Sequence, residues 1–369
     1  MAQNRLNRLL LLAAGVLAAG WLTGAAGSPG LRAADDNSPA AKPASDAQAV
    51  KDFVALTDKQ DQACQHAAKW LAQHQNPDGS WDDHGANSTA MTGLAGMALL
   101  ATGSTPNRGP YGVNVEKAVM FCLKHQDAQG MYIGHNDGRG MHGHGFSTSF
   151  MAQAYGMGLE PSLEDKVRDS LIKAVKLIAH AQSHNGGWYY QPDANADEGS
   201  VTVCEAQALR CCADVGIPVP DRTVRDGIGY MYKSQNADGT INYQIGMSGG
   251  TGSPALTAAG AVVFFSYGKY TQNDERARRT MDAVRRIFGA QGIANTGHQC
   301  YTDFYAAQAF HMASEEDYAK YYPRIRDFLV RSQSGDGSWQ GDSAGQVYGT
   351  SLNLLVLAIP YNYLPMFQR

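Results

Sequence analysis

Two kinds of apolar segment alternate along this chain. In the first kind, apolar side chains fall on one stripe. Leu163, Val167, Leu171, Ala174 and Ile178 recur at three- and four-residue steps, while Glu164, Lys166, Arg168, Lys173 and Lys176 lie mainly elsewhere. That period belongs to an amphipathic helix with one wet face. In the second kind, as in 255–265 and 352–359, apolar residues run almost without interruption. A helix with no polar face is buried on every side. The alternation predicts helical hairpins, each with a half-wet outer helix and a dry inner one.

The hairpins repeat. Trp70-Leu71 leads through Gln75 into Pro77-Asp78-Gly79-Ser80-Trp81, and Phe121-Cys122 through Gln126 into Gly130-Met131-Tyr132. Leu177-Ile178 leads through Gln182 into Gly186-Gly187-Trp188, and Tyr230-Met231 through Gln235 into Asp238-Gly239-Thr240. Phe328-Leu329 leads through Gln333 into Asp336-Gly337-Ser338-Trp339. Successive glutamines stand 51, 56, 53 and 98 residues apart. The last interval is nearly two periods, so a degenerate unit is expected near Phe288-Gly289-Ala290-Gln291, making six. The Asp-Gly turns suit a helix end that needs left-handed backbone.

Six such hairpins form either an open solenoid or a closed ring. A solenoid needs polar terminal repeats. The last inner segment, 350–359, is among the most apolar, so it needs a neighbour that closure supplies. The expected fold class is all-α, an (α/α)6 toroid (barrel) of six helical hairpins.

These motifs resemble the repeats of squalene–hopene cyclases and of protein prenyltransferase β-subunits over residues 58–369. Met141-His142-Gly143-His144-Gly145-Phe146 and the closing stretch from Tyr361 to Arg369 resemble a bacterial subgroup common in planctomycetes. The resemblance implies that Gln75, Trp81, Gln126, Tyr132, Gln182, Trp188, Gln235, Gln333 and Trp339 are ties between hairpins.

The N-terminus adds a location. Arg5 and Arg8 precede an apolar run, 9–22, followed by Gly24, Ala25, Ala26 and Gly27. This reads as an export signal over 1–34 and is too short for an ordinary span of ~20 residues. A flexible leader, 35–57, rich in Ala, Asp, Ser and Pro, follows. An exported bacterial protein, periplasmic or secreted and not transmembrane, is expected. Loss of 1–34 removes Arg5, Arg8 and Arg32 and no acid, leaving 27 basic against 34 acidic residues, a charge of −7. No basic stripe survives, which argues against nucleic acid. The six cysteines form no metal-knuckle spacing and read as small buried hydrophobes. Oligomeric state stays open.

In such a ring the inner helices run parallel and six N-termini open on one mouth. Their partial positive charges would favour an anionic group such as a diphosphate. The expected ligand-binding set is His142, His144, Phe146, Phe150, Tyr301, Asp303, Tyr305 and Tyr348, with Tyr155, Phe264 and Phe304 as further wall candidates. Aromatic walls suit an isoprenoid or lipid ligand; alternatively these rings simply fill the centre.

The resemblance supplies catalytic patterns against which the chain is read. Cyclases of this kind protonate an alkene with the middle acid of DxDD. Asn195-Ala196-Asp197-Glu198 keeps only Asp197 there, with Glu198 beside it, and N-capping by Asp197 or Ser200 is the simpler reading. Protein prenyltransferases bind zinc through Asp-x-Cys and a later His. Here His298-Gln299-Cys300 has His in the Asp place and no His follows His311, so His298 and Cys300 are weak metal candidates. His135, Asp137, His142 and His144 form a third possible cluster. Cys204 and Gln207 stand three apart, as in a thioester motif of related toroids, but read as packed helix residues. No metal or cofactor is expected. The sequence therefore suggests a ring that binds an apolar ligand or a protein segment without intact catalytic motifs. The alternatives are an isoprenoid cyclase or prenyl transferase using Asp197, and a structural or partner-binding envelope protein.

Overall fold

The computed structural model describes residues 56–134, 136–138, 140–247, 252–268, 273–289 and 298–368. The expected signal, the leader up to residue 55, the degenerate Ala290-Gln291 and His135 lie outside these residues. The described residues hold twelve α-helices and isolated bridges but no strand. The helices are α1 (Asp58–Gln73), α2 (Ser88–Ala101), α3 (Gly112–Lys124), α4 (Gly140–Gly156), α5 (Pro161–Ala181) and α6 (Gly199–Asp214). They continue as α7 (Asp221–Lys233), α8 (Pro254–Ser266), α9 (Glu275–Gly289), α10 (Gln299–Ala313), α11 (Glu315–Ser332) and α12 (Gly345–Ala358).

Even-numbered helices form the inner layer. On α12 nearly every side chain is buried, from Val347 to Ala358. Odd-numbered helices bury one stripe; on α7 it is Thr223, Val224, Gly227, Ile228, Tyr230 and Met231. Each inner helix packs on the next in the order α2, α4, α6, α8, α10, α12, and α12 packs back on α2. The two-layer ring is therefore closed.

The repeat glutamines fasten the layers in one recurring pattern. Gln75, Gln126, Gln182 and Gln333 each donate through Nε2 to the carbonyl of their own turn glycine, at 2.9 Å in every case. The same nitrogen also donates to the following outer helix, at Asn114, Ser170, Thr223 and Ala63 respectively, again at 2.9 Å. In the fourth unit Gln235 reaches Arg276 O directly, but its turn only through Thr280, which donates to Gly239 O. The turn glycines have φ near +90°, and a Cβ there would collide with the backbone of that next helix: Lys117, Lys173, Asp226, Arg279 or His66. Only glycine lets the turn sit that close.

The aromatic after each turn is the second tie. Trp81, Trp188 and Trp339 are buried and donate Nε1–H to Leu71, Ile178 and Leu329. Removing such a side chain costs about 3–5 kcal/mol.

The last residues close one end of the ring. Beyond α12 the chain turns through Asn362 in left-handed backbone and crosses the C-terminal ends of the inner helices. Tyr361 Oη donates to Asp61, Met366 N to Gln153 Oε1 and His311 Nε2 to Phe367 O. Leu364 and Phe367 are buried beneath it. The opposite mouth, where the inner helices begin, holds the loops that could admit a ligand.

Candidate functional site

The lumen is built from residues at i, i+4, i+7 and i+11 on the inner helices, a spacing that keeps one helical face. On α4 these are His142, Phe146, Ser149 and Gln153; on α6, Ser200, Cys204, Gln207 and Cys211; on α10, Tyr301, Tyr305, Gln308 and Met312. Gln207 Nε2 donates to Gln308 Oε1 at 2.8 Å, and Tyr305 Oη donates to Gln207 Oε1 at 3.2 Å. Because α8 separates α6 from α10 in the ring, these bonds bridge the lumen. They form a floor about halfway down.

Above that floor stand two tyrosine rings. Tyr301 and Tyr348 are half-buried, whereas Tyr305 beneath is fully buried. The Tyr301 and Tyr305 rings pack at 4.6 Å. Burial drives all three phenols well above their ordinary range, and they influence one another as they do so. The rim carries His142, Tyr190, Ser200 and Tyr243, with exposed Ile133 and Met247 at its edge.

The mouth already holds carboxylates of its own. Glu198, the N-cap of α6, accepts from Ser200 N at 2.8 Å and Val201 N at 2.6 Å. The expected caps Asp197 or Ser200 do not serve. Asp342 accepts from Gln299 N and Cys300 N at the start of α10. Asp137 accepts from Thr89 N at α2, and the Asp83 carboxylate lies against Gly345 at α12. Four of the six inner-helix starts are thus met by carboxylates of the chain itself.

The candidate residues part company. Tyr301, Tyr305, Tyr348 and, by its register, Phe146 face the lumen. His142 lies on the rim, with Nε2 3.2 Å from Ser200 Oγ. His144 sits in the wall. Its Nδ1 accepts from Tyr132 N at 3.1 Å and its Nε2 points to Ala174 O. Thr92, Thr202, Thr257 and Thr350 make the same bond to the residue after the turn in other repeats. Burial lowers the His144 pKa to about 4, which keeps the ring neutral. Phe150 packs its ring where Gly96 of α2 leaves room, and Phe264 stacks on Tyr232 of α7. Asp303 is buried on the opposite side of α10 from Tyr301. It is held by Gln299 Nε2 at 2.8 Å, and burial raises its pKa to about 7.

Asp197 is a turn tie. Its Oδ2 accepts from Ser183 Oγ at 2.7 Å and Asn185 Nδ2 at 3.1 Å. Asp82 and Asn242 do the same for Asn76 and Asn236, the residues after the repeat glutamine in their units. An asparagine thus fills this role in the fourth repeat. His298 is exposed, while Cys300 is buried, its thiol donating to Gln340 O and pushed up to about 12 chiefly by burial. Among the described residues no three His, Cys, Asp or Glu come together as a metal would need. Cys204 Sγ donates to His142 O at 3.6 Å, while the Gln207 amide is spent on Gln308, so the two do not form a thioester.

The expectation gave Ser200 a capping role and Gln207 a packing role, and missed Tyr190, Tyr243, Gln308 and Asp342. A signal for the α6 and α10 residues was present: Ser200, Gln207 and Gln308 are polar at lumenal register in otherwise dry helices. The loop tyrosines carry no periodicity and left none.

No protein-family model matches this sequence, and no curated protein matches it. Solved structures do. An α-1,6-mannanase, GH76A of Salegentibacter sp. HEL1_6 in complex with α-1,6-mannotriose, aligns over 84% of this chain and 100% of its own, with 5% identity and a TM-score of 0.63. The type II terpene cyclase MstE from Scytonema aligns over 84% and 100%, with 15% identity and a TM-score of 0.53. A variant of that cyclase with bound geranylgeranyl dihydroxybenzoate gives 82%, 98%, 15% and 0.55. The likeness establishes the α/α toroid. One ring architecture serves a mannanase and a cyclase, so it does not select a reaction.

Proposed function

We propose that this chain is an exported binding ring that takes an uncharged, largely apolar ligand of isoprenoid type into a cup above the Tyr305–Gln207–Gln308 floor. The observation that carries this reading is the pair of half-buried Tyr301 and Tyr348 rings over a hydrogen-bonded floor, in a lumen crossed at its far end by 359–368. Ring faces and the Phe146 side chain give an apolar wall. The mouth carboxylates of Glu198, Asp342 and Asp137 disfavour a diphosphate head. Asp197, engaged by Ser183 and Asn185, is assigned a scaffold role, which supports binding over alkene protonation.

The test is a titration of the purified protein with geranylgeraniol and with geranylgeranyl diphosphate, followed by tyrosine and tryptophan fluorescence. Saturable binding of the alcohol, weakened at least tenfold by Tyr348→Ala, is the expected result. Absence of saturable binding to the alcohol, or tighter binding of the diphosphate, would sink the reading.

A further inference from the structure

The proposed cup leaves the polar end of its ligand unspecified; the rim supplies it. Five side chains there lie in one run of contacts. Ser200 Oγ donates to Glu198, 2.9 Å from either carboxylate oxygen. His142 Nε2 lies 3.2 Å from Ser200 Oγ, and the His142 ring stands 5.6 Å from that of Tyr190. The Tyr190 and Tyr243 hydroxyls bond to one another, and Tyr243 reaches Glu198.

Donor arithmetic fixes the polarity of this run. The single hydroxyl hydrogen of Ser200 goes to the Glu198 carboxyl. His142 Nε2 must then carry a hydrogen and donate to Ser200 Oγ. A serine oxygen accepts twice, so one lone pair of Ser200 remains. A second, independent observation comes from the opposite wall. The Tyr301 Oη is buried with no oxygen or nitrogen at full hydrogen-bond distance, the Tyr305 phenol packing beside it, and lies within electrostatic reach of Glu198 and Cys204. A buried hydroxyl left unpaired is costly, and a ligand oxygen that accepts from it relieves that cost.

The geometry points to a hydroxyl-recognition site formed by Ser200, as oriented by His142 and Glu198, and by Tyr301. The matching head group donates one hydrogen bond, to Ser200 Oγ, and accepts one, from Tyr301 Oη. A free alcohol does both. An ether or ester oxygen can only accept, and a hydrocarbon can do neither. This assignment rests on the proposed cup and names the chemistry of its ligand's polar end.

The test compares geranylgeraniol with its methyl ether on the purified protein, by isothermal titration. The wild-type chain is expected to bind the alcohol roughly fivefold to tenfold more tightly than the ether, the size of one net hydrogen bond. Ser200→Ala should bring the alcohol down to the ether's affinity and leave the ether unchanged. Tyr301→Phe should weaken both oxygen ligands equally, since each can accept from the phenol. Equal affinities for alcohol and ether in the wild type, or an alcohol preference that survives Ser200→Ala, would overturn the assignment while leaving the cup intact. Binding of neither ligand would remove the cup, and the assignment with it.

Discussion

Gln333 Nε2 donates to Ala63 O at 2.9 Å, joining the last outer helix to the first across 270 positions of sequence. The same nitrogen holds Gly337 O, as its counterparts do within the chain. Gln333→Ala removes both bonds and leaves two partly buried carbonyls unpaired, at a cost of roughly 1–3 kcal/mol. Gln182→Ala removes an equivalent pair from the middle of the chain and should cost about the same. The two should differ locally. In hydrogen exchange, Gln333→Ala is expected to loosen α1 and α12, which flank the seam, more than α5 and α6. Uniform loosening in both variants would show that Gln333 has no special part in closure.

The turn beside it gives a matched pair of glycine substitutions. Gly337 has φ +93°, and a Cβ there would stand 2.7 Å from the His66 carbonyl oxygen. Gly337→Ala therefore requires the seam to open slightly and should destabilise by about 1–3 kcal/mol. Gly229 lies inside α7 with nothing within 4 Å of where a Cβ would stand, and its φ is ordinary. Gly229→Ala should stabilise by roughly 0.5–1 kcal/mol through helix propensity alone. Urea unfolding of the two variants reads both signs.

His144 makes stability depend on pH in one direction. Its pKa is about 4 in the folded ring, against an ordinary 6.5. The unfolded chain therefore binds the extra proton between these values, and stability present above pH 6.5 is lost as pH falls towards 4. The full loss is about 3 kcal/mol. His144→Thr installs the residue that four other repeats use, so it keeps the bond to Tyr132 N and removes the titration. Its unfolding free energy should be flatter across this window than that of the wild type. An unchanged slope would mean that His144 does not titrate there.

Asp303 and Glu205 act with the opposite sign. Burial holds the Asp303 carboxyl up to about 7, and Glu205, buried on α6 with no hydrogen-bond partner on either oxygen, well above its ordinary value. Their folded forms keep a proton that the unfolded chain gives up. The contribution of Asp303 is present below pH 3.8 and lost as pH rises through about 7, a change of about 4 kcal/mol. Asp303→Asn should remove that decline, and Glu205→Gln should raise stability at neutral pH. A Glu205→Gln variant less stable than wild type at pH 7 would reveal a partner for the carboxyl.

The ring was legible in the sequence because its ties recur. Gln75, Gln126, Gln182, Gln235 and Gln333 repeat with their turns, and the dry segment 350–359 demanded a neighbour. The site was less legible. His144 looked like chemistry because only the fold reveals that it stands where Thr92 and Thr202 stand. Asp303 and Tyr301 are two residues apart, which on a helix puts them on nearly opposite faces. A single lumenal list could not separate them without the ring's axis. The expected pull on anions left out one thing: helix N-termini recruit caps from their own chain, here Glu198, Asp342 and Asp137.

That last point can be reversed by substitution. Asp342 satisfies Gln299 N and Cys300 N, and Asp137 satisfies Thr89 N and Gly134 N. An asparagine at either position keeps one accepting oxygen but not the charge. Asp137→Asn with Asp342→Asn should therefore keep one of the two backbone bonds at each position while removing two negative charges from the mouth. Each helix-end charge is worth about 0.3–1 kcal/mol, so the pair should shift the ratio of geranylgeraniol to geranylgeranyl diphosphate affinity by roughly threefold to thirtyfold towards the diphosphate. Because the effect is electrostatic and partly exposed, it should shrink as salt is raised from 0.05 M to 0.5 M on the scale of about one Debye length. Competition titrations at the two salt concentrations measure it. A ratio that stays fixed, or a shift that ignores salt, would mean that the carboxylates do not set the mouth's preference and that selection lies deeper, at Tyr301 and Tyr348.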